Sequence, residues 1–99
     1  APGHVILPYA FDTNDMRFQP GGGFVQAEDF ARYCIGAMDW LLDSGQPAML
    51  SIGLHLRIIA RPGRMAGLEA VLRRAASRPG IWVARRRDIA RHWMEQGLP

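Results

Sequence analysis

The sequence of 99 residues predicts an α/β fold built from three parallel βα units. Three short apolar runs, at residues 4–9, 48–54 and 81–84, are each followed by a loop and then by a stretch of helical periodicity. Strands separated by helices of this length run parallel, through right-handed crossovers. Almost half of the chain (48%) is apolar, which suits one small domain over residues 1–99 with a single core and excludes a disordered or low-complexity tail.

Each element has its own warrant. His4-Val5-Ile6-Leu7-Pro8-Tyr9 reads as a buried strand, with Pro8 confining it to an end or an edge. Residues 10–25 read as a long loop, ending in Gly21-Gly22-Gly23. Over residues 27–44, Ala27, Phe30, Ala31, Cys34, Ala37, Met38 and Leu41 recur at helical spacing, with acids in the first turn and Gly45 and Pro47 past the end. Residues 48–54 are apolar almost throughout, as in a strand covered on both faces, and Gly53 permits a close approach near its end. A polar loop over 55–64 leads to a helix over 64–77, with Met65, Leu68, Leu72 and Ala75 on one face and an i,i+4 pair, Glu69 and Arg73, on the other. Pro79-Gly80 stops it. Residues 81–84 give the third strand, and Asp88 is the expected N-cap of a last helix over 89–96.

Composition narrows the function. Cys34 is the single cysteine, so an intrachain disulfide and a cysteine-based zinc cluster are excluded, and a reducing, cytoplasmic setting is expected. Its helical spacing reads as a buried, inert thiol. No stretch approaches the roughly 20 apolar residues of a membrane span. Residues 2–9 lack the basic flank and length of a signal peptide. The start at Ala1 rather than at a methionine reads as a fragment or a processed product. Charge is uneven. Residues 1–56 carry two arginines against six acids, a net −4; residues 57–99 carry ten arginines against three acids, a net +7. A nucleic-acid face is one reading of that asymmetry, and arginine-rich composition with cations dressing helix ends is the other.

In parallel α/β folds, ligands sit at the carboxyl ends of the strands, on the βα loops. Here those loops hold the unusual residues: Asp12-Thr13-Asn14-Asp15-Met16-Arg17, then His55 through Arg64, then Arg85-Arg86-Arg87-Asp88. The αβ connections, Gly45-Gln46-Pro47 and Arg78-Pro79-Gly80, are short and plain. His55 is the sharpest candidate, because an imidazole titrating near neutral pH can hand a proton to a leaving amine. On residue type alone, a lone histidine at a strand end is more often structural. Asn14, Asp15 and Arg17 either bind a polar substrate or cap a turn. Arg61 and Arg64, flanking Pro62-Gly63, either bind an anionic or carbonyl group or brace the loop. Trp40, Trp82 and Trp93 read as packing. His4, His55 and His92 stand 51 and 37 residues apart and do not make a three-ligand metal site.

Three segments in order carry a family resemblance. Asp12-Thr13-Asn14-Asp15-Met16-Arg17-Phe18 resembles a loop of the polysaccharide deacetylase (NodB-homology) family, in the branch with peptidoglycan-deacetylase-like proteins and metal-independent allantoinases. Ser51-Ile52-Gly53-Leu54-His55 with Arg61-Pro62-Gly63-Arg64 is similar to the strand and loop that deliver the family's late histidine, although Leu56 stands where relatives often have proline. Arg86-Arg87-Asp88-Ile89-Ala90-Arg91-His92-Trp93 resembles the family's C-terminal ending. The resemblance implies that the chain is the C-terminal three βα units of a distorted (β/α) barrel at least about two and a half times its length. It implies a hydrolase of non-peptide C–N bonds, either an N-acetyl sugar deacetylase or an allantoinase-like ureide hydrolase, with His55 as general acid and a small-molecule or glycan substrate. The family's early aspartate pair and H-x-x-x-H histidines are absent from this sequence, so the fragment is expected to be inactive alone. No cofactor is expected within it, and a divalent metal such as zinc would be bound by the missing N-terminal part. That part is the expected partner, along with further copies in a homo-oligomer. Two other classes stand against this reading: a basic nucleic-acid-binding module, for which no helix-turn-helix or stacking platform is evident, and a barrel remnant acting in assembly.

Overall fold

The computed structural model describes residues 6–96. Its main body is a pair of packed helices with a loop-borne aromatic cluster beneath them. Helix α1, Ala27–Asp43, turns Ala27, Phe30, Ala31, Cys34 and Met38 inward, as the spacing predicts. The Asp29 carboxylate reaches back to accept from the backbone N–H groups of Val25 (3.0 Å) and Gln26 (2.8 Å), tying off donors that the first turn leaves free. A short helix α2, Leu56–Ile59, follows His55, where the sequence reads as loop. Helix α3, Met65–Ser77, packs across α1.

The face that α3 buries differs from the expected one. Gly67 and Val71 are its buried residues, and Leu68 and Ala75 pack beside them, whereas Met65 and Leu72 face outward. Gly67 explains the rotation. A Cβ there would stand 3.1 Å from the carbonyl carbon of Ala27, closer still to its oxygen, so the missing side chain lets the α3 backbone settle on the start of α1. At the other end, Asp39 of α1 accepts from Arg74 (3.0 Å) and Arg78 (2.6 Å), and Arg78 also reaches Asp43 (2.5 Å). Arg78 first, then Arg74, hold the Asp39 carboxyl below the usual carboxylate range.

The long loop supplies much of the core. Phe18 and Phe24 are buried with Phe30 of α1, ring centroids 5.6–5.9 Å apart. Ile59, Val71 and Cys34 close the cluster, and burial pushes the Cys34 thiol up to about 11. Glycines at 21–23 allow the loop to fold back so that Phe24 N–H donates to Arg17 O.

The expected strands are realised differently. Residues 51–53 run parallel to 13–15, with Gly53 N–H donating to Thr13 O and Asp15 N–H to Gly53 O, both at 2.9 Å. Thr13 Oγ1 donates to Ser51 O (2.6 Å), and Ser51 Oγ donates to Pro8 O (3.2 Å). The pairing therefore centres on residues beyond the predicted run of 4–9, whose His4 and Val5 lie outside the described residues. Residues 6–10 and 81–84 form no regular strand among the described residues. A strand needs a hydrogen-bonded neighbour along its length, and among the described residues such pairing is confined to isolated bridges, Asn14 with Gly53 and Phe18 with Phe24. Helix α4, Arg86–Glu95, begins earlier than predicted, with Arg85 rather than Asp88 at its N-cap. Asp88 sits in the first turn and accepts from Arg85 (3.0 Å). The Arg86 guanidinium bonds to Leu7 O, joining the last unit to the first.

Candidate active site

The backbone builds the site before any side chain enters. Asn14 caps a 3-10 turn, Asp15–Arg17: its Oδ1 accepts from Met16 N–H (2.9 Å) and its Nδ2 donates to Ala10 O (3.0 Å). The parallel bridge between Asn14 and Gly53 places Asp15 beside the end of the second extended segment, two residues before His55.

Asp15 is fully buried. Both of its carboxylate oxygens are taken up by one residue. Oδ2 accepts from His55 N–H at 2.5 Å, and Oδ1 lies 2.6 Å from His55 Nδ1. A buried carboxylate is costly unless it is paired and bonded, and here a single histidine does both. An ionised carboxylate only accepts, so Nδ1 carries the proton in this contact and Nε2 is left to exchange one. The His55 side chain is about half exposed (49%), in contrast to its partner. The arrangement can deliver a proton from an oriented imidazole to a reacting group at the surface, with the buried acid fixing the ring and stabilising the imidazolium.

The other sequence candidates fall into two groups. Asn14 is committed to the turn. Arg64 donates to Ile58 O (2.8 Å) and lies over the Phe18 ring at 4.5 Å, bracing the loop from α2 to α3. Arg17 stacks on Phe24 and Tyr33, at 4.5 and 4.7 Å. Arg61 is exposed, and its carbonyl starts α3 by accepting from Arg64 and Met65 N–H. The structure thus brings Asn14, Asp15 and His55 together, with Arg17 and Arg64 one layer away on the aromatic cluster.

Sequence reasoning leaves Asp15 as a substrate ligand or a turn cap and does not pair it with His55. It also passes over Thr13, which is fully buried and fastens the two extended segments. Tyr33 donates to Asp12 Oδ2 (3.0 Å) and, with the backbone N–H of Asp12, draws that carboxyl below the usual range. Asp12 and Tyr33 line an open cleft of about 650 Å3 with Phe24 and Arg32, which His55 does not enter. Among the described residues, no group of three or more His, Cys, Asp and Glu side chains is placed to hold a metal ion, and none of the helices is long and apolar enough to cross a membrane.

The buried Asp15 thus holds a half-exposed histidine from a neighbouring extended segment. The chain is homologous to polysaccharide deacetylases and to an allantoinase over some nine-tenths of its length. It is 40% identical to a putative polysaccharide deacetylase of Schizosaccharomyces pombe across 94 residues, covering 92% of this chain and 29% of that protein. Its structure superposes on a probable polysaccharide deacetylase from Pseudomonas aeruginosa PAO1 with a TM-score of 0.85 and 51% identity, over 91% of this chain and 31% of the other. On Puue allantoinase the TM-score is 0.84 with 48% identity, over 90% and 30% of the two chains. No family model matches the chain. The chain spans about 30% of the length of each of these relatives.

Proposed function

We propose that this chain forms the last three βα units of a (β/α) barrel that hydrolyses a non-peptide C–N bond, and that His55 is its general acid. The Asp15–His55 pair carries the reading, because amide hydrolysis needs an acid where this pair offers one. Water adds to the carbonyl carbon, activated by a base from outside these 99 residues. The C–N bond then breaks, and the proton on His55 Nε2 passes to the departing nitrogen, which otherwise leaves as a poor anion. Asp15 keeps Nδ1 protonated throughout and holds the ring. Where the parent enzyme uses a divalent metal, that ion is held by side chains outside this segment. Substrates of this class are N-acetylated amino sugars and ureides, in keeping with the names of the relatives. Arg61, exposed and six residues after His55, is assigned to the substrate; Asn14, Arg17 and Arg64 are assigned to the scaffold that holds the pair.

The nucleic-acid reading loses ground at the same arginines that suggested it. Arg73, Arg74, Arg78 and Arg85 are each engaged by Glu69, Asp39, Asp43 or Asp88. The test is the steady-state hydrolysis of an N-acetylated amino-sugar oligomer and of allantoin by the complete protein that carries this chain. His55→Ala is expected to lower kcat by roughly 10²–10⁴ with little change in KM. A variant within twofold of the parent on whichever substrate the parent hydrolyses sinks the assignment.

A further inference from the structure

We infer that Gly53 and Asn14 form a clasp that sets the Asp15–His55 geometry, making Gly53 a positioning residue of the site rather than a spacer. The inference rests on the proton-donor reading above and deepens it. Gly53 has an ordinary backbone conformation, since it is not among the glycines with positive φ. Backbone freedom therefore does not account for a glycine here, and the space beside it does. A Cβ on Gly53 would stand 2.8 Å from Asn14 Cγ and 3.3 Å from Asn14 Oδ1, with Nδ2 nearer still.

The Asn14 amide cannot swing away cheaply. It is buried, and it is held at both ends by Met16 N–H and Ala10 O. Breaking those bonds leaves the buried Asn14 amide without partners. A side chain at position 53 would instead push the two segments apart. The same two segments carry the pair: Gly53 N–H to Thr13 O and Asp15 N–H to Gly53 O lock the register, and Asp15 and His55 follow directly on each side. Contacts of 2.5 and 2.6 Å leave little room, so a displacement of about 1 Å would break them.

The experiment uses the complete protein with ¹⁵N-labelled histidine. His55→Ala identifies the His55 resonances by subtraction, and the wild type is expected to show a hydrogen-bonded, downfield Nδ1–H. Gly53→Ala is expected to erase that signal and to lower kcat roughly 10- to 100-fold with KM within about twofold. Asn14→Ser keeps an oxygen for Met16 N–H and removes the amide that a Cβ would meet. The pair Asn14→Ser/Gly53→Ala is therefore expected to regain the signal and to run within about threefold of Asn14→Ser alone. If Gly53→Ala does not fold, a folded double variant with the signal intact still supports the clasp, and a double variant equally unfolded overturns it. A Gly53→Ala protein that keeps both the signal and kcat overturns it too. The two readings fail separately. Loss of activity in His55→Ala with an unaffected Gly53→Ala removes the clasp alone. Full activity in His55→Ala removes the proton donor, and with it the functional meaning of the clasp.

Discussion

In the proposed mechanism, Asp15 and His55 divide one task between a buried group and a half-exposed one. The acid has no solvent contact, and both its oxygens are spent on the same residue. Substituting it therefore tests orientation apart from proton supply. Asp15→Asn keeps the shape and an acceptor for the backbone N–H of His55, but its amide can present a donor to Nδ1 and turn the imidazole to the wrong tautomer. The expected result is a fall in kcat of roughly 10²–10⁴ with KM nearly unchanged. A loss in KM alone would instead make Asp15 a substrate ligand. Asp15→Ala should also lower the thermal midpoint, because it removes both contacts that tie His55 to the 13–15 segment. At this scale the sequence shows His55 as a candidate because a histidine at a strand end is conspicuous. It does not show the partner, since Asp15 lies 40 positions away and only the parallel register of 13–15 with 51–53 joins them.

Among the elements, α1 and α3 are legible and the extended segments are less so. The α1 spacing predicts its buried face because five apolar residues fall on one stripe. For α3 the same reasoning turns the helix slightly wrong, as a small residue at the crossing, Gly67, decides which side approaches α1. Phe18 and Phe24 escape the pattern altogether, because a loop with three glycines has no period from which burial can be read. The α1–α3 junction carries a pH dependence. Hydrogen bonding to Arg78, then to Arg74, lowers the Asp39 pKa in the folded protein. The stabilisation is therefore present above the unfolded value of about 3.9 and is lost as pH falls below it. The thermal midpoint is expected to drop below about pH 4, and Asp39→Asn should be less stable at neutral pH with a flatter acid limb. Parallel acid limbs for the two proteins would show that the junction contributes nothing.

As a whole the molecule is extended. Its radius of gyration is 15.0 Å, where a compact chain of this length has about 13 Å, and its long axis is 46 Å. Ile6, Phe11, Trp40, Leu56 and Val83 are all more than two-thirds exposed. These side chains are candidates for contact with the remainder of the proposed barrel. The 99 residues made alone are expected to self-associate, or to bind the preceding barrel units supplied in trans, when followed by sedimentation velocity. A monodisperse monomer with a cooperative melt would contradict that. The three longer helices and their order are readable from the apolar periodicity. The sheet is not, because strand pairing is a property of neighbours.

The most direct measurement compares two leaving groups in the complete protein. A proton donor matters for an amine, which leaves badly as an anion, and hardly matters for an aryl oxide. A general-acid role for His55 requires that His55→Ala lose roughly 10²–10⁴ in kcat on an N-acetyl or ureide substrate and less than about tenfold on the matching aryl ester. Equal losses on both, or no loss on the amide, would contradict it.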